Sequence, residues 1–122
     1  YYTQEFKTKA PITYLVGDNV FRNAHYHLKN QMKQHYHQLI VAQLVPPIPL
    51  LKCFRLDIAI YYKNSNSDPS NIVHTIEKFS LDALRDSKVI ANDSMLYHLG
   101  TSYHVAGKDT DNPRCVITIS EA

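Results

Sequence analysis

The stretch Leu51-Lys52-Cys53-Phe54-Arg55-Leu56-Asp57-Ile58-Ala59-Ile60-Tyr61-Tyr62 alternates strictly in polarity. Phe54, Leu56, Ile58, Ile60 and Tyr62 share one side, while Cys53, Arg55, Asp57, Ala59 and Tyr61 share the other. A period of two with β-branched and aromatic residues on one side predicts a half-buried strand. A polar loop from Lys63 to Asp68 follows, and then the period changes. At about 100° per residue, Ile72, Ile76, Phe79 and Ala83 fall within roughly 60° of one another, with Val73, Ser80 and Leu84 widening the arc. That pattern predicts a helix opened by Asp68 or Ser70 as cap, with Pro69 in its first turn, and ending near Leu84 or Arg85.

Outward from this strand and helix, the pattern is helical from His27, where Leu28, Met32, Tyr36, Leu39, Ile40 and Gln43 recur at three- and four-residue steps. They predict an earlier helix starting near Asn23 or Ala24 and stopped by Val45-Pro46. Short strands are expected at Thr3 to Thr8 and Ile12 to Val16, and two more at Met95 to Val105 and Arg114 to Ile119. The turn-rich stretch Ala106 to Pro113 joins the last two. The order β-β-α-β-α-β-β implies a small α+β fold: a mixed sheet packed with two main helices. A chain of 122 residues is read as a single domain, 1–122.

Composition narrows the function classes. Apolar residues are 44% and charged residues 20%, which is globular. Thirteen Lys and Arg against eleven Asp and Glu leave +2, which excludes a polycationic tail protein. The halves differ: residues 1–61 hold seven basic and three acidic residues (+4), and residues 62–122 hold six and eight (−2). No run of about 18 apolar residues occurs, so no membrane span is expected. No leader is legible, and the chain opens at Tyr1 rather than Met, which leaves room for a preceding segment. Cys53 and Cys115 both sit in alternating apolar runs, as reduced core cysteines of a cytoplasmic protein would.

Beside the apolar arc of the second helix, Asn71, Thr75, Lys78 and Asp82 form a polar arc, with Asp68 at its N-terminal end. Carboxylates near a Lys suit Mg²⁺ and the phosphates it bridges. A solvated face with a Lys78–Asp82 pair is the simpler reading of the spacing alone. Asn92-Asp93-Ser94, after Val89-Ile90, adds a second acidic element that a helix, a turn and a short strand could bring back beside Asp68. On its own the triplet reads as a turn. His25-Tyr26-His27 and His35-Tyr36-His37 do not converge on an ion, since helical residues two apart lie about 200° from each other. A DNA-facing surface, or an amphipathic helix with Tyr36 in the core, accounts for them.

Taken together, Asp68-Pro69-Ser70-Asn71, Glu77-Lys78-Phe79, Asp82-Ala83-Leu84 and Val89-Ile90-Ala91-Asn92-Asp93-Ser94 resemble the signature of the RusA family of Holliday-junction resolvases. That signature has a D-x-D-N-like start, a helical Lys, a D-A/G-L element and a closing D-D. Tyr103, Gly107, Asn112-Pro113-Arg114 and Val116-Ile117-Thr118-Ile119 are similar to the end of phage-type members. Pro11-Ile12-Thr13, Asn19, Arg22, His27 and Lys29 resemble the family's N-terminal part. The resemblance spans most of the chain, and its specificity lies in residues 68–94.

The resemblance implies a RusA-like fold in a homodimeric, Mg²⁺-dependent endonuclease, with Mn²⁺ as a substitute ion and no organic cofactor. Its substrate would be branched DNA, four-way junctions above all, cut symmetrically during recombination or repair. Its setting would be the cytoplasm of a bacterial host, encoded by a phage or prophage. Asp68 and Asp93 match metal-ligand positions, with Ser70 as a neutral oxygen. Asp82 matches the Asp of the D-A/G-L element, as an auxiliary ligand or a partner that orients Lys78. Lys78 is similar to the helical Lys that neutralises the scissile phosphate or its leaving group. Ser70 and Asn92 stand where the family pattern has Asp. A relative that binds branched DNA or a protein without cutting is therefore the alternative. A third reading, a small nucleic-acid-binding or regulatory domain unrelated to resolvases, predicts that Asp68 and Asp93 lie far apart in the fold. Lys7, Lys9, Arg22, His25, Lys29, Lys33 and Asn71 are candidate DNA contacts, the cations neutralising phosphates without reading sequence. The apolar run Val45 to Leu51 is a candidate part of the partner surface.

Overall fold

The alternating stretch becomes the strand that the rest of the molecule is built around. A computed structural model describes residues 3–9, 26–44, 49–63 and 68–122. They form strand β1 (Thr3–Lys9), helix α1 (Tyr26–Val41), strand β2 (Phe54–Tyr62), helix α2 (Pro69–Asp86), strand β3 (His98–Lys108) and strand β4 (Arg114–Glu121). The result is a small α+β fold with a four-stranded mixed sheet in the order β1-β4-β2-β3. β4 runs antiparallel to both β1 and β2, and β2 runs parallel to β3. Parallel neighbours need a long crossover, and α2 supplies it. The expected strand at residues 12–16 and the start of the first helix lie outside the described residues.

β2 buries Phe54, Leu56, Ile58 and Ile60, with Tyr62 partly buried, on the face that alternation assigned to the core. Cys115, Ile117 and Ile119 of β4 and Phe6 of β1 join them. α1 contributes Met32, Tyr36 and Ile40, four residues apart along one stripe. α2 contributes Ile76, Phe79, Ala83 and Leu84. The Tyr36 and Phe79 rings stack with centroids 5.1 Å apart and planes 12° apart, which locks the helices together. Tyr36 is thus a core residue rather than a stacking platform for bases. Cys53 and Cys115 are free thiols, Cys115 buried and Cys53 partly exposed.

Element ends differ from expectation where side chains intervene. α1 stops at Val41, ahead of Val45-Pro46, because Gln43 turns back. Its Nε2 donates to Leu39 O at 2.9 Å and to Lys7 O, while Lys7 N–H donates to its Oε1 at 2.6 Å. One amide side chain therefore satisfies a helix-terminal carbonyl and fastens the helix to β1. β2 starts at Phe54 rather than Leu51, since Leu51 bridges Ile90 instead. β3 begins three residues after Met95, because Tyr97 and His98 N–H groups close a turn on Ser94 O.

α2 has caps at both ends. Asp68 Oδ1 accepts the Ser70 N–H at 3.0 Å, the expected N-cap. At the other end Val89 N–H donates to Leu84 O and Lys88 N–H to Arg85 O, both at 3.0 Å. This is a Schellman closure, and Lys88 takes the left-handed position usually left to glycine, with φ of 61°. Thr75, expected on the polar arc, is 2% exposed. Its hydroxyl donates to Asn71 O at 3.3 Å, which lets the residue enter the core.

Candidate functional site: carboxylates at the two ends of one helix

The acidic residues of the 68–94 run are all positioned by α2 and its flanks. Asp68 follows β2 and caps the helix, at the C-terminal end of the parallel strand pair. Its Oδ1 also accepts the Ser70 hydroxyl at 2.8 Å. Asp68 and Ser70 are exposed, and the Asn71 N–H donates to Asp68 O at 3.2 Å. This cluster is a local cap with solvent-facing oxygens, near the helix N-terminus where negative charge is favoured.

Asp82 lies fourteen residues further along the same helix, about 21 Å at the helical rise. Its side chain is 16% exposed, between Lys33 Nζ at 3.7 Å and Arg85 Nη2 at 3.5 Å. Arg85 in turn reaches Asp93 Oδ1 at 3.9 Å. Lys33, Asp82, Arg85 and Asp93 thus form a chain of alternating charge joining α1, α2 and the following turn. Asn92 Oδ1 accepts the Ser94 N–H at 3.1 Å, so the triplet makes the Asx turn that its composition allows.

Asp68 and Asp93 do not meet within one chain. The expected return of residues 89–93 to the start of α2 does not take place. Leu51 N–H donates to Val89 O at 2.8 Å and Leu51 bridges Ile90, which pins this segment at the opposite end of the sheet. Mg²⁺ requires oxygens at about 2.0–2.1 Å, so the two carboxylates of one chain do not share an ion. Among the described residues no group of three or more His, Cys, Asp and Glu is placed to hold a metal. The single-chain metal site of Asp68, Asp93 and Ser70 is therefore corrected: Asp68 and Ser70 sit together, and Asp93 lies elsewhere.

Lys78 is exposed on α2 about 15 Å from Asp68 along the axis. Lys33 is half-exposed and paired with Asp82, and His37 Nδ1 lies 3.7 Å from Asp86 Oδ2. Lys7 is exposed on β1. Lys9 and Lys29 belong to β1 and α1, with their side chains outside the described set, and Arg22 and His25 lie outside the described residues altogether. Asn71 is half-buried in the first turn of α2.

Two arrangements escaped the sequence reading. Arg85, three residues after Asp82, is legible as a helical pair, but its second partner Asp93 requires the fold. At the Asp68 end of the sheet, the Arg114 guanidinium lies 3.9 Å over the Tyr61 ring and donates to Asp109 Oδ2 at 2.7 Å and Asn112 O at 3.0 Å. The Asn112 N–H donates to Asp109 Oδ1, and the Asp109 N–H to Tyr62 O. This clamp closes the turn between β3 and β4. The hydrogen bond from Arg114, with that from Asn112, holds the Asp109 carboxyl below its ordinary value of 3.8. A depressed carboxyl stabilises the fold above its unfolded value and loses that contribution as pH falls through the folded one. The gap in unfolding midpoint between wild type and Asp109→Asn is expected to hold above about pH 5 and to narrow below about pH 4. A gap that widens in acid would contradict the clamp.

No helix among the described residues is long and apolar enough to cross a membrane. Compared with known proteins, the chain matches no family model and no curated protein.

Proposed function

We propose that this protein is a metal-dependent endonuclease for branched DNA that works as a homodimer, with the RusA-like run 68–94 as its active element. The observation that carries the reading is the residue pattern of that run, with Asp68, Lys78, Asp82 and Asp93 on and beside one capped helix. Its outer carboxylates, Asp68 and Asp93, are solvent-accessible at opposite ends of one rigid capped helix. An ion bound by both requires two copies of the chain, each supplying one end. A two-fold dimer then holds two equivalent sites, as symmetric cutting of two strands demands. Lys7 on the sheet and Lys78 on α2 offer exposed cations for phosphate contact, which makes binding salt-dependent.

The second reading, a non-cutting binder of branched DNA or of a protein, is favoured by a specific observation. Asp82 and Asp93 are already engaged by Lys33 and Arg85, and Ser70 and Asn92 replace carboxylates. Cleavage of a synthetic four-way junction in Mg²⁺ and in Mn²⁺ separates the two. Asn is as good an N-cap as Asp, so Asp68→Asn removes charge while keeping the cap. Wild type is expected to give paired nicks, and Asp68→Asn and Asp93→Asn to lower their rate by more than ~100-fold, about 2.7 kcal/mol of barrier. Junction binding without nicking by all three proteins would establish the second reading.

A further inference from the structure

The end of the sheet where β2 and β3 start carries an apolar knob that the proposed function leaves unused. Ser94 O accepts the Tyr97 N–H at 3.0 Å and the His98 N–H at 2.8 Å, which closes a tight turn with Met95 and Leu96 at its centre. Turn centres favour Gly, Pro, Asn, Asp and Ser, so turn chemistry does not account for two large apolar residues there. Packing does not account for them either, since Met95 is 93% exposed and Leu96 78%. The segment from Leu50 to Cys53 runs alongside: the Cys53 thiol donates to Leu96 O at 3.5 Å, and Leu51 N–H donates to Val89 O. Leu50, 58% exposed, therefore belongs to the same end of the molecule.

Cations accompany these apolar tips. Lys52 follows Leu51, Lys88 precedes Val89, and both are exposed with no facing carboxylate among the described residues. The acidic groups at this end are engaged or drawn in. Asp93 faces Arg85 at 3.9 Å, Asp86 faces His37 at 3.7 Å, and Glu121 is half-buried opposite Phe54.

We infer that this knob docks the protein on an anionic bilayer surface, with Met95 and Leu96 in the headgroup–acyl boundary and Lys52 and Lys88 among the anionic headgroups. Area separates a bilayer from a protein partner. A stable protein interface buries about 1,000 Å² or more in a complementary patch. Two side chains standing nearly free of the surface, with a third beside them, supply a small part of that. A bilayer has no such requirement. Its fluid interface closes around a projecting tip, the apolar side chains gain by leaving water, and each Lys near the anionic surface adds attraction. Tyr97, packed against the core at the base of the turn, has the amphipathic ring that favours the headgroup level. Docking here points the Asp68 end of α2 into the water, about 27 Å of helix away. It goes beyond the proposed nuclease function and does not depend on it.

Co-sedimentation of the full chain with vesicles tests the docking, using phosphatidylcholine alone and phosphatidylcholine mixed with an equal part of phosphatidylglycerol. Wild type is expected to sediment with the mixed vesicles at low salt, and less as salt rises. Met95→Ser/Leu96→Ser should lower the partition coefficient by at least ~10-fold. Lys52→Gln and Lys88→Gln should each lower it by roughly 5-fold. These positions are exposed, so the variants should keep the wild-type circular dichroism. The chain has no tryptophan, so Leu96→Trp is a single reporter at the tip. Its emission should shift to the blue on mixed vesicles and be quenched by brominated acyl chains, while Tyr103→Trp in mid-strand should not respond. Absence of partition at low salt, partition indifferent to the serines, or equal partition into neutral vesicles overturns the inference. A double-serine variant that loses self-association instead of vesicle binding assigns the knob to a second copy and overturns it as well.

Discussion

Phe79→Ala is expected to lower the unfolding free energy by about 3–5 kcal/mol, the range for deleting a buried aromatic side chain. Phe79 is 2% exposed and stacks on Tyr36, itself fully buried, so its ring is the contact through which α1 and α2 hold each other. The space it leaves is bounded by helices fastened elsewhere: α1 by Gln43 to β1, α2 by caps at both ends. Neither helix can collapse freely into the cavity, which places the loss toward the upper part of that range. For a chain of this length the melting temperature should fall by at least ~10 °C. Denaturant titration checks the value, and a loss below about 1 kcal/mol would mean that the helices do not meet at this ring. Substituting Lys33, the half-exposed member of the Lys33–Asp82 pair, should cost far less, within about 1 kcal/mol, because water screens its end of the pair and Arg85 still faces Asp82.

Under the nuclease reading proposed above, mixing Asp68→Asn and Asp93→Asn chains should restore nicking. In a dimer of one Asp68→Asn chain and one Asp93→Asn chain, each site built across the two copies draws Asp68 from one and Asp93 from the other. One site then carries both substitutions and the other carries neither. Random mixing makes half the dimers heterodimers, each with one intact site, so nicking should recover to about a quarter of wild type. Sites built within one chain would give no recovery, since every chain lacks one carboxylate. The product also differs: one intact site nicks one strand, so single nicks should replace the paired cuts of wild type. Subunit exchange is verified beforehand by mass, using one tagged chain. No recovery despite exchange would return the carboxylates to separate roles.

Much of the fold was legible because local and global preferences agree. The alternation of Phe54 to Tyr62 matches the buried and exposed sides of β2, since an even period leaves only one set of side chains able to face the core. Asp68-Pro69 opens α2 as its cap chemistry dictates, and Met32, Tyr36 and Ile40 form the buried stripe that their spacing requires. Strand and helix ends were less legible. Gln43 ends α1 through contacts with residues 36 positions earlier, and Leu51 leaves β2 to pair with Ile90, neither of which any local pattern encodes.

The site divides the same way. The residue types in the 68–94 run, their spacing on a helix and the local turns at Asp68 and Asn92 follow from the sequence by itself, because they depend on contacts within a few residues. Only the tertiary structure decided that Asp68 and Asp93 lie at opposite ends of the molecule. Helix length carries the chain about 27 Å from one end of the sheet to the other, and the bridge from Leu51 to Ile90 keeps it there. The charge asymmetry between the halves was a sequence property too. That Lys33 of the basic half spends itself on Asp82 of the acidic half was not, because it takes the packing of α1 on α2 to bring them within 3.7 Å.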